Sequence, residues 1–315
     1  MSISKLHNRG IMAALSSAVF LGLAPVFGRM SILLGFSPLA VVALRTGLAA
    51  LLMFIIIFVF QRQYLYIFPV GLAGCILAGA INGFGSILYY LALGKLSASL
   101  GQLLYSLYPL FVAIFTVLDK QPVSRITLLR VFIAGFAVIL LTSVDGIIAP
   151  LPSVLMMIGS AVLYALHIPI NQRVLYEIPA PTVTLYTLLA MSMVTIPFYF
   201  LMDNQVPSAF GSWWPLIFLT LVTFASRLTL FLGIKNIGGL QAAILGLAEL
   251  FITIILGRFL LGEMLSWIQI LGAIILGGSL LMVALDKPDL VKRHPKGGWL
   301  AWIHPPEIKP WSLQD

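Results

Sequence analysis

The sequence predicts an all-α polytopic membrane protein, with ten transmembrane helices arranged as two inverted five-helix repeats. Three observations lead there. Of the 315 residues, 61% are hydrophobic and only 9% are charged, whereas a soluble domain has roughly 45–50% apolar residues and about a quarter charged ones. The apolar residues fall into ten runs, near 11–33, 38–60, 67–93, 97–118, 126–143, 152–173, 182–202, 214–236, 238–261 and 267–285, most of them close to the roughly 20 residues that cross a bilayer. The chain can also be laid on itself at an offset of about 140 residues. There is too little charge to cover a water-facing surface.

Taken in order, the first run is too long for a signal-peptide core and lacks a small-residue cleavage site, so it is expected to stay as a helix. Gly35 and Pro38 turn the chain into the second span, and Pro122 separates the fourth from the fifth. Asp145 with Gly146, Pro179 with Pro181, Asp203 with Asn204, and Gly238 with Gly239 mark the later joints. Several joints are so short that neighbouring helices must form tight antiparallel hairpins. The division expected is a first repeat over 1–143, a second over 144–285, and a tail over 286–315.

Lys and Arg set the orientation. With the N-terminus inside, the cytoplasmic segments hold Lys5, Arg9, Arg62, Lys120, Arg125, Arg173, Lys235, Lys287, Lys292, Arg293, Lys296 and Lys309, while the opposite loops hold only Lys95 and Arg258. Both termini should therefore be cytoplasmic, in a multi-pass protein of the cell (inner) membrane. The tail, with Trp299, Trp302, Trp311 and several prolines, reads as a loosely ordered interfacial segment on anionic lipid.

The formal charge of +8 does not point to nucleic acid, because the basic residues outside the tail are dispersed and form no patch with exposed aromatics. The single cysteine, Cys75, permits no internal disulfide and no thiolate metal site. No metal and no cofactor is expected. No phosphate loop or dinucleotide fingerprint occurs in a strand–helix context, and Gly79, Gly83 and Gly85 read as points of close helix approach. The partners expected are the lipid bilayer and a small-molecule substrate. Proton coupling and a homodimer are both open to the sequence.

The two halves match at Ser17-Ala18-Val19 and Ser160-Ala161-Val162, at Ser37-Pro38 and Ala180-Pro181, at Lys95 and Lys235, and at Leu110-Phe111 and Leu250-Phe251. An odd number of helices per half forces the second half to enter the membrane with opposite polarity. Such an inverted repeat is the architecture of secondary transporters, with a central cavity that opens to either side.

Several stretches also resemble a known family. They are Ser37-Pro38-Leu39-Ala40 through Arg45, Tyr89-Tyr90-Leu91-Ala92-Leu93, Tyr108-Pro109-Leu110-Phe111, and Gly262-Glu263 followed by Leu265-Ser266 and Gly272. In order and spacing the sequence looks like a member of the EamA family of the drug/metabolite transporter superfamily, from about 11 to 285. The resemblance implies export or exchange of small metabolites without ATP, through a cavity lined largely by spans 1, 3, 4, 6, 8 and 9. Two positions depart from the repeat: Glu249 stands where the first half has Pro109, and Gln121 stands where the second half has Glu263.

Ionisable groups at membrane depth cost about 2.5–3.5 kcal/mol each on insertion scales, so Arg227 and Glu249 draw attention. Each lies some ten to twelve residues from the hairpin near 237, which at 1.5 Å per residue puts both roughly 15–18 Å deep. They read either as a permanent ion pair fixing spans 8 and 9 or as a substrate or proton site. Arg45 reads as a donor to helix-end carbonyls or as an attractor for anions, Arg29 as a snorkelling side chain, and Arg130 as structural. His167 and Asn171 share one face of span 6, as a satisfied core pair or as a pH-responsive contact. Asn82, Gln102 and Gln241 could glue helices, and Tyr89, Tyr90, Tyr105 and Tyr108 could line an aromatic cavity for a small amphiphilic solute. The candidate binding or coupling set is thus Glu249, Arg227, His167, Asn171, Asn82, Gln102, Tyr89, Tyr105 and Arg45, with no catalytic residue.

The function expected is secondary transport of a small organic metabolite such as an amino acid, as exporter or exchanger, by alternating access around a midplane cavity. An intramembrane lipid-modifying enzyme is the rival reading, but the core acidic residues Asp119, Asp145, Glu177, Asp203, Glu249 and Glu263 are scattered over different loops and depths. A non-transporting membrane scaffold is the third.

Overall fold

A computed structural model describes residues 3–120, 125–142, 150–203, 205–262, 266–281 and 298–303. Gln121, Pro122, Asp145, Gly146, Asn204, Glu263, the side chain of Arg130 and the tail residues 286–297 and 304–315 lie outside the described residues. The described residues are helical throughout, with no strand: α1 (Ile3–Leu33), α2 (Pro38–Phe60), α3 (Pro69–Leu93), α4 (Ala98–Tyr105), α5 (Tyr108–Leu118), α6 (Arg125–Thr142), α7 (Leu151–Leu175), α8 (Ala180–Met202), α9 (Trp214–Ile237), α10 (Gly239–Gly246), α11 (Ala248–Leu261) and α12 (Trp267–Leu281). Eight stretches, counting α4–α5 and α10–α11 as one each, are long and apolar enough to cross a membrane. α6 and α12, of 18 and 15 residues, fall outside those eight.

The helices start where chain chemistry lets them. Ser37 caps α2, its side-chain oxygen accepting from the Ala40 N–H, and Ser97 caps α4 through the Leu100 N–H. Pro38, Pro69 and Pro181 occupy the first turns of their helices, where a missing N–H costs nothing. α1 begins eight residues before the apolar run, because hydropathy marks only the part inside hydrocarbon and a helix needs no apolar residues once it leaves it.

The halves interlock. α1 packs chiefly on α9, α3 on α7, α2 on α8 and α6 on α12, while α4 meets α11 and α5 meets α10. The second, fourth and fifth spans therefore lean on their counterparts in the other half, while the first span of each half leans on the third span of the other. Close approach is bought by small residues. A Cβ on Gly79 would stand 2.5 Å from the Ala190 Cβ and 2.6 Å from the Thr187 carbonyl, and Gly83 and Gly85 lie similarly against Val194 and Leu163. Large apolar side chains such as Phe132, Leu201 and Phe259 face outward, as a lipid-facing surface requires.

Two apparent single spans are each broken in the middle. The fourth bends at Ser106–Leu107, between α4 and α5, where Pro109 has no N–H to offer the Tyr105 carbonyl. The ninth bends at Leu247, between α10 and α11, at the equivalent place and without a proline. In both, a short i→i−3 bond replaces the α-helical one: Leu107 N–H to Leu104 O at 3.4 Å and Leu247 N–H to Ile244 O at 3.2 Å. At the crossing, the Tyr108 hydroxyl donates to the Ala243 carbonyl at 3.0 Å.

The end of the bundle where α1 begins is sealed. Its largest apolar cluster joins Tyr108, Ile168, Phe231, Leu240 and Ile244, with Leu300 and Ile303 from the tail. Around that seal the Arg173 Nε meets the Asp119 Oδ2 at 2.8 Å, both side chains buried. Gln172 Oε1 accepts from the Gly239 N–H at 2.8 Å, and Lys235 Nζ donates to the Ile178 carbonyl at 3.0 Å. The tail expectation therefore needs correcting for 298–303: Leu300 and Ile303 are buried, and the Leu300 N–H donates to Asp119 Oδ1 at 3.2 Å. Apolar contact and a buried carboxylate hold this piece where a lipid surface was expected to.

Candidate functional site

Above that seal, towards the end opposite the start of α1, lies a cavity open on one side. Its walls come from α1 (Leu21, Ala24, Pro25), α2 (Arg45), α3 (Ser86, Tyr89, Tyr90), α4 (Gln102, Tyr105), α7 (Ser160, Tyr164), α9 (Arg227) and α11 (Glu249). These are the spans the resemblance implied, with Arg45 of the second span added. Pro25 within α1 cannot donate to the Leu21 carbonyl, so this wall also carries a break in backbone bonding.

Six of the nine expected site residues share the cavity: Glu249, Arg227, Arg45, Gln102, Tyr89 and Tyr105. Glu249 sits at the second position of α11, just past the break, and is buried at 2% exposure. It does not pair with Arg227, for no ion pair within 4.0 Å joins them among the described residues, and the Glu249 Oε1 has no hydrogen-bond partner. The permanent ion pair is thereby corrected. Spans 8 and 9 bring the two charges to one cavity, but Arg227 is turned towards α3. With the Asn82 side chain placed so that its oxygen faces the guanidinium, that oxygen accepts from Arg227 Nη1 at 3.0 Å and Nη2 at 3.1 Å. The same guanidinium lies 5.6 Å from the Tyr164 ring centroid.

Arg45 is held by side chains rather than by helix-end carbonyls. Nη1 donates to Thr223 Oγ1 at 3.2 Å and Nη2 to Ser86 Oγ at 3.4 Å, the guanidinium stands 4.7 Å over the Tyr90 ring, and Nε is unpartnered. Arg29 takes the role that Arg45 was offered: its Nη1 donates to the Leu93 and Gly94 carbonyls at 2.9 Å each, closing the end of α3. Snorkelling is thus corrected for Arg29. Backbone carbonyls freed at a helix end satisfy a guanidinium without bulk water.

Gln102 Oε1 accepts from the Tyr89 hydroxyl at 3.2 Å, while its Nε2 has no partner. Tyr105 sits between Tyr89 and Tyr164, with centroids 5.0 and 5.2 Å away. The result is a corner of tyrosine rings facing two guanidiniums and a carboxylate.

The other three residues lie behind the wall. Asn82 supports Arg227 as described. His167 is fully buried, packs 4.6 Å from the Tyr164 ring and sets Nδ1 against the Tyr164 carbonyl, which requires the proton on Nδ1. Asn171 donates to the His167 carbonyl at 3.0 Å and accepts from the Thr187 hydroxyl at 3.4 Å. Sequence reasoning missed Tyr164, which carries the centre of the aromatic corner. Its position three residues before His167 on a cavity-lining span was the available signal. Among the described residues, no group of three or more His, Cys, Asp or Glu stands at metal-holding distances.

A model of the EamA-like transporter family matches residues 8–143 and again 151–285. The chain belongs to the EamA-like transporter family. No curated protein matches it. Of 29 solved chains that match in structure, one described only as a protein crystal structure is 18% identical, with a TM-score of 0.69 over 90% of this chain and 97% of its own. At that identity the likeness speaks for the EamA-like fold alone.

Proposed function

We propose that this EamA-like protein is a secondary transporter of a small organic metabolite, an exporter or exchanger, with amino acids among the candidate substrates. Ten spans cross the cell (inner) membrane as two inverted halves, 1–143 and 144–285, with both termini in the cytoplasm. The observation that carries the reading is the cavity itself. Seven helices from both halves converge on it, and it contains a buried carboxylate with an unpartnered oxygen at the break of the ninth span. An unsatisfied buried carboxylate is costly, and costly groups at membrane depth are retained at substrate and ion pathways.

In this reading the sealed terminal end is the closed cytoplasmic gate. The Arg173–Asp119 pair and the Gln172–Gly239 bond must part when the cavity changes sides, and the two breaks let α4–α5 and α10–α11 move as half-helices. Glu249 then carries either a substrate contact or a coupling proton.

The test is counterflow in proteoliposomes over a panel of amino acids, organic acids, sugars and cationic drugs, with wild type, Glu249→Gln and Arg227→Gln at matched reconstitution. Wild-type uptake of one chemical class, lost in both variants whose thermal stability is retained, supports the proposal. Equal uptake by wild type and both variants places the site elsewhere, and no uptake of any class removes the transport reading.

A further inference from the structure

The charges on the cavity wall do not cancel. Arg45 and Arg227 are cationic at any physiological pH, and Glu249 is the one acidic side chain among the lining residues. The wall is therefore net positive whether Glu249 is ionised or protonated. Neither guanidinium is neutralised by a carboxylate. Arg45 is held by the Thr223 and Ser86 hydroxyls, Arg227 by the Asn82 amide, and both by tyrosine faces. These neutral partners fix the guanidiniums in place, and Glu249, which acts on Arg227 without a contact ion pair, can offset at most one of the two charges.

The unpartnered atoms say what is lacking. The Arg45 Nε is a buried donor without a hydrogen-bond partner, while the Gln102 amide and the Glu249 carboxyl act on each other without reaching full hydrogen-bond geometry. Beside them stand the Tyr89, Tyr105 and Tyr164 rings, surfaces suited to an apolar or aromatic body.

Resting on the transport reading above, we infer that the solute is a small organic monoanion: a carboxylate held between Arg45 and Arg227, on an apolar or aryl body lodged against the tyrosine corner. A zwitterion brings the same carboxylate but no net charge to offset the surplus. A cation meets two like charges and one carboxylate. The unpartnered Glu249 oxygen accepts from a hydroxyl or other neutral donor on the solute.

Three probes share one phenyl ring and differ in charge: 3-phenylpropanoate, phenylalanine and phenethylamine. Each is tested as an inhibitor of counterflow and as a stabiliser of the purified full chain. Both acids present the same carboxylate, so the difference rests on the ammonium of phenylalanine, which two like charges on the wall disfavour; the monoanion should act at a concentration about tenfold below the zwitterion, with the amine weakest. Read as thermal stabilisation of the purified chain, which needs no flux, Arg45→Gln and Arg227→Gln should each shrink that ratio, while Arg45→Lys and Arg227→Lys, which keep the charge, should preserve it. Glu249→Gln, read in the same way, should not shrink it, because the wall stays net positive whichever form Glu249 takes.

If phenylalanine equals or betters 3-phenylpropanoate, or the ratio survives both Gln substitutions, the inference is overturned. If other solutes of the broad panel move and none of these three acts, the charge assignment falls while transport stands. If nothing in that panel moves, the transport reading itself has failed and the inference falls with it.

Discussion

The crossing of the two broken spans can be tested at Gly246. A Cβ built there collides with the Tyr108 hydroxyl, while the next ring atom, Cζ, stands 3.5 Å away in ordinary contact. Gly246→Ala must push the hydroxyl off the Ala243 carbonyl, to which it now donates at 3.0 Å. That hydrogen bond is worth about 0.6 kcal/mol and at most about 1.7 by analogy with other membrane helices. Overpacking adds about 1–3 kcal/mol, and alanine returns up to about 1 kcal/mol of helix propensity. The net loss is about 2 kcal/mol, or roughly 3 °C in melting temperature for a chain of 315 residues. Tyr108→Phe alone should cost about 1 kcal/mol, the lost bond. The double variant should be no worse than Tyr108→Phe, because the atom that clashes is gone. The assay is thermal unfolding of the four proteins in one detergent. Additive losses, with the double variant the least stable, would refute the contact.

Other outcomes follow from the same coordinates. Gly79→Ala should lower the melting temperature, since backbone and a short side chain of α8 block the new methyl at 2.5–2.6 Å; overpacking of this kind costs about 1–3 kcal/mol. Gly159→Ala, whose nearest neighbour is the Leu88 Cδ1 at 3.5 Å, should be tolerated in the same assay. Arg173→Gln removes the cation from the fully buried Asp119, which keeps the Leu300 N–H, and should cost up to about 3–5 kcal/mol, with Asp119→Asn added to it recovering part of the loss. Leu300→Asp places a charge in the apolar seal and should release 298–303, read as faster limited proteolysis of the tail.

How far the sequence went depends on which physics decided each element. Eight of the ten expected spans were legible because hydrocarbon imposes one composition on every segment that crosses it, and the joints read at Pro38, Pro179 with Pro181, and Gly238 with Gly239 sit where α2, α8 and α10 begin. Convergence of Arg45, Arg227, Glu249, Gln102, Tyr89 and Tyr105 on one cavity was legible too, because a polar residue inside an apolar run has few places to go. Their pairing was not. Depth along two helices put Arg227 level with Glu249, yet rotation about the α9 axis decides that Arg227 meets Asn82 on α3. Rotation is set by three-body contacts that no spacing rule contains. The exchange of roles between Arg29 and Arg45 has the same origin. Asp119 and Arg173, 54 positions apart, carry no local pattern that would join them.

The two breaks show how a repeat can keep a shape while changing its chemistry. In the first half Pro109 enforces the bend locally, since it removes an N–H from the helix wherever the chain is placed. In the second half the bend persists without proline, so tertiary contact must hold it. Tyr108 donates to the Ala243 carbonyl at the turn before the break, and Gly246 leaves room for that hydroxyl. Beyond the break, the Thr253 hydroxyl lies within hydrogen-bond distance of the Glu249 carbonyl and of the Gly22 carbonyl on α1, 3.0 and 2.8 Å away. With the geometry secured from outside, the position equivalent to Pro109 is free to carry a side chain. It carries the only carboxylate on the cavity wall. A proline restored at 249 should therefore keep the break and the fold while removing that charge, which separates the architecture of the site from its chemistry in a single substitution.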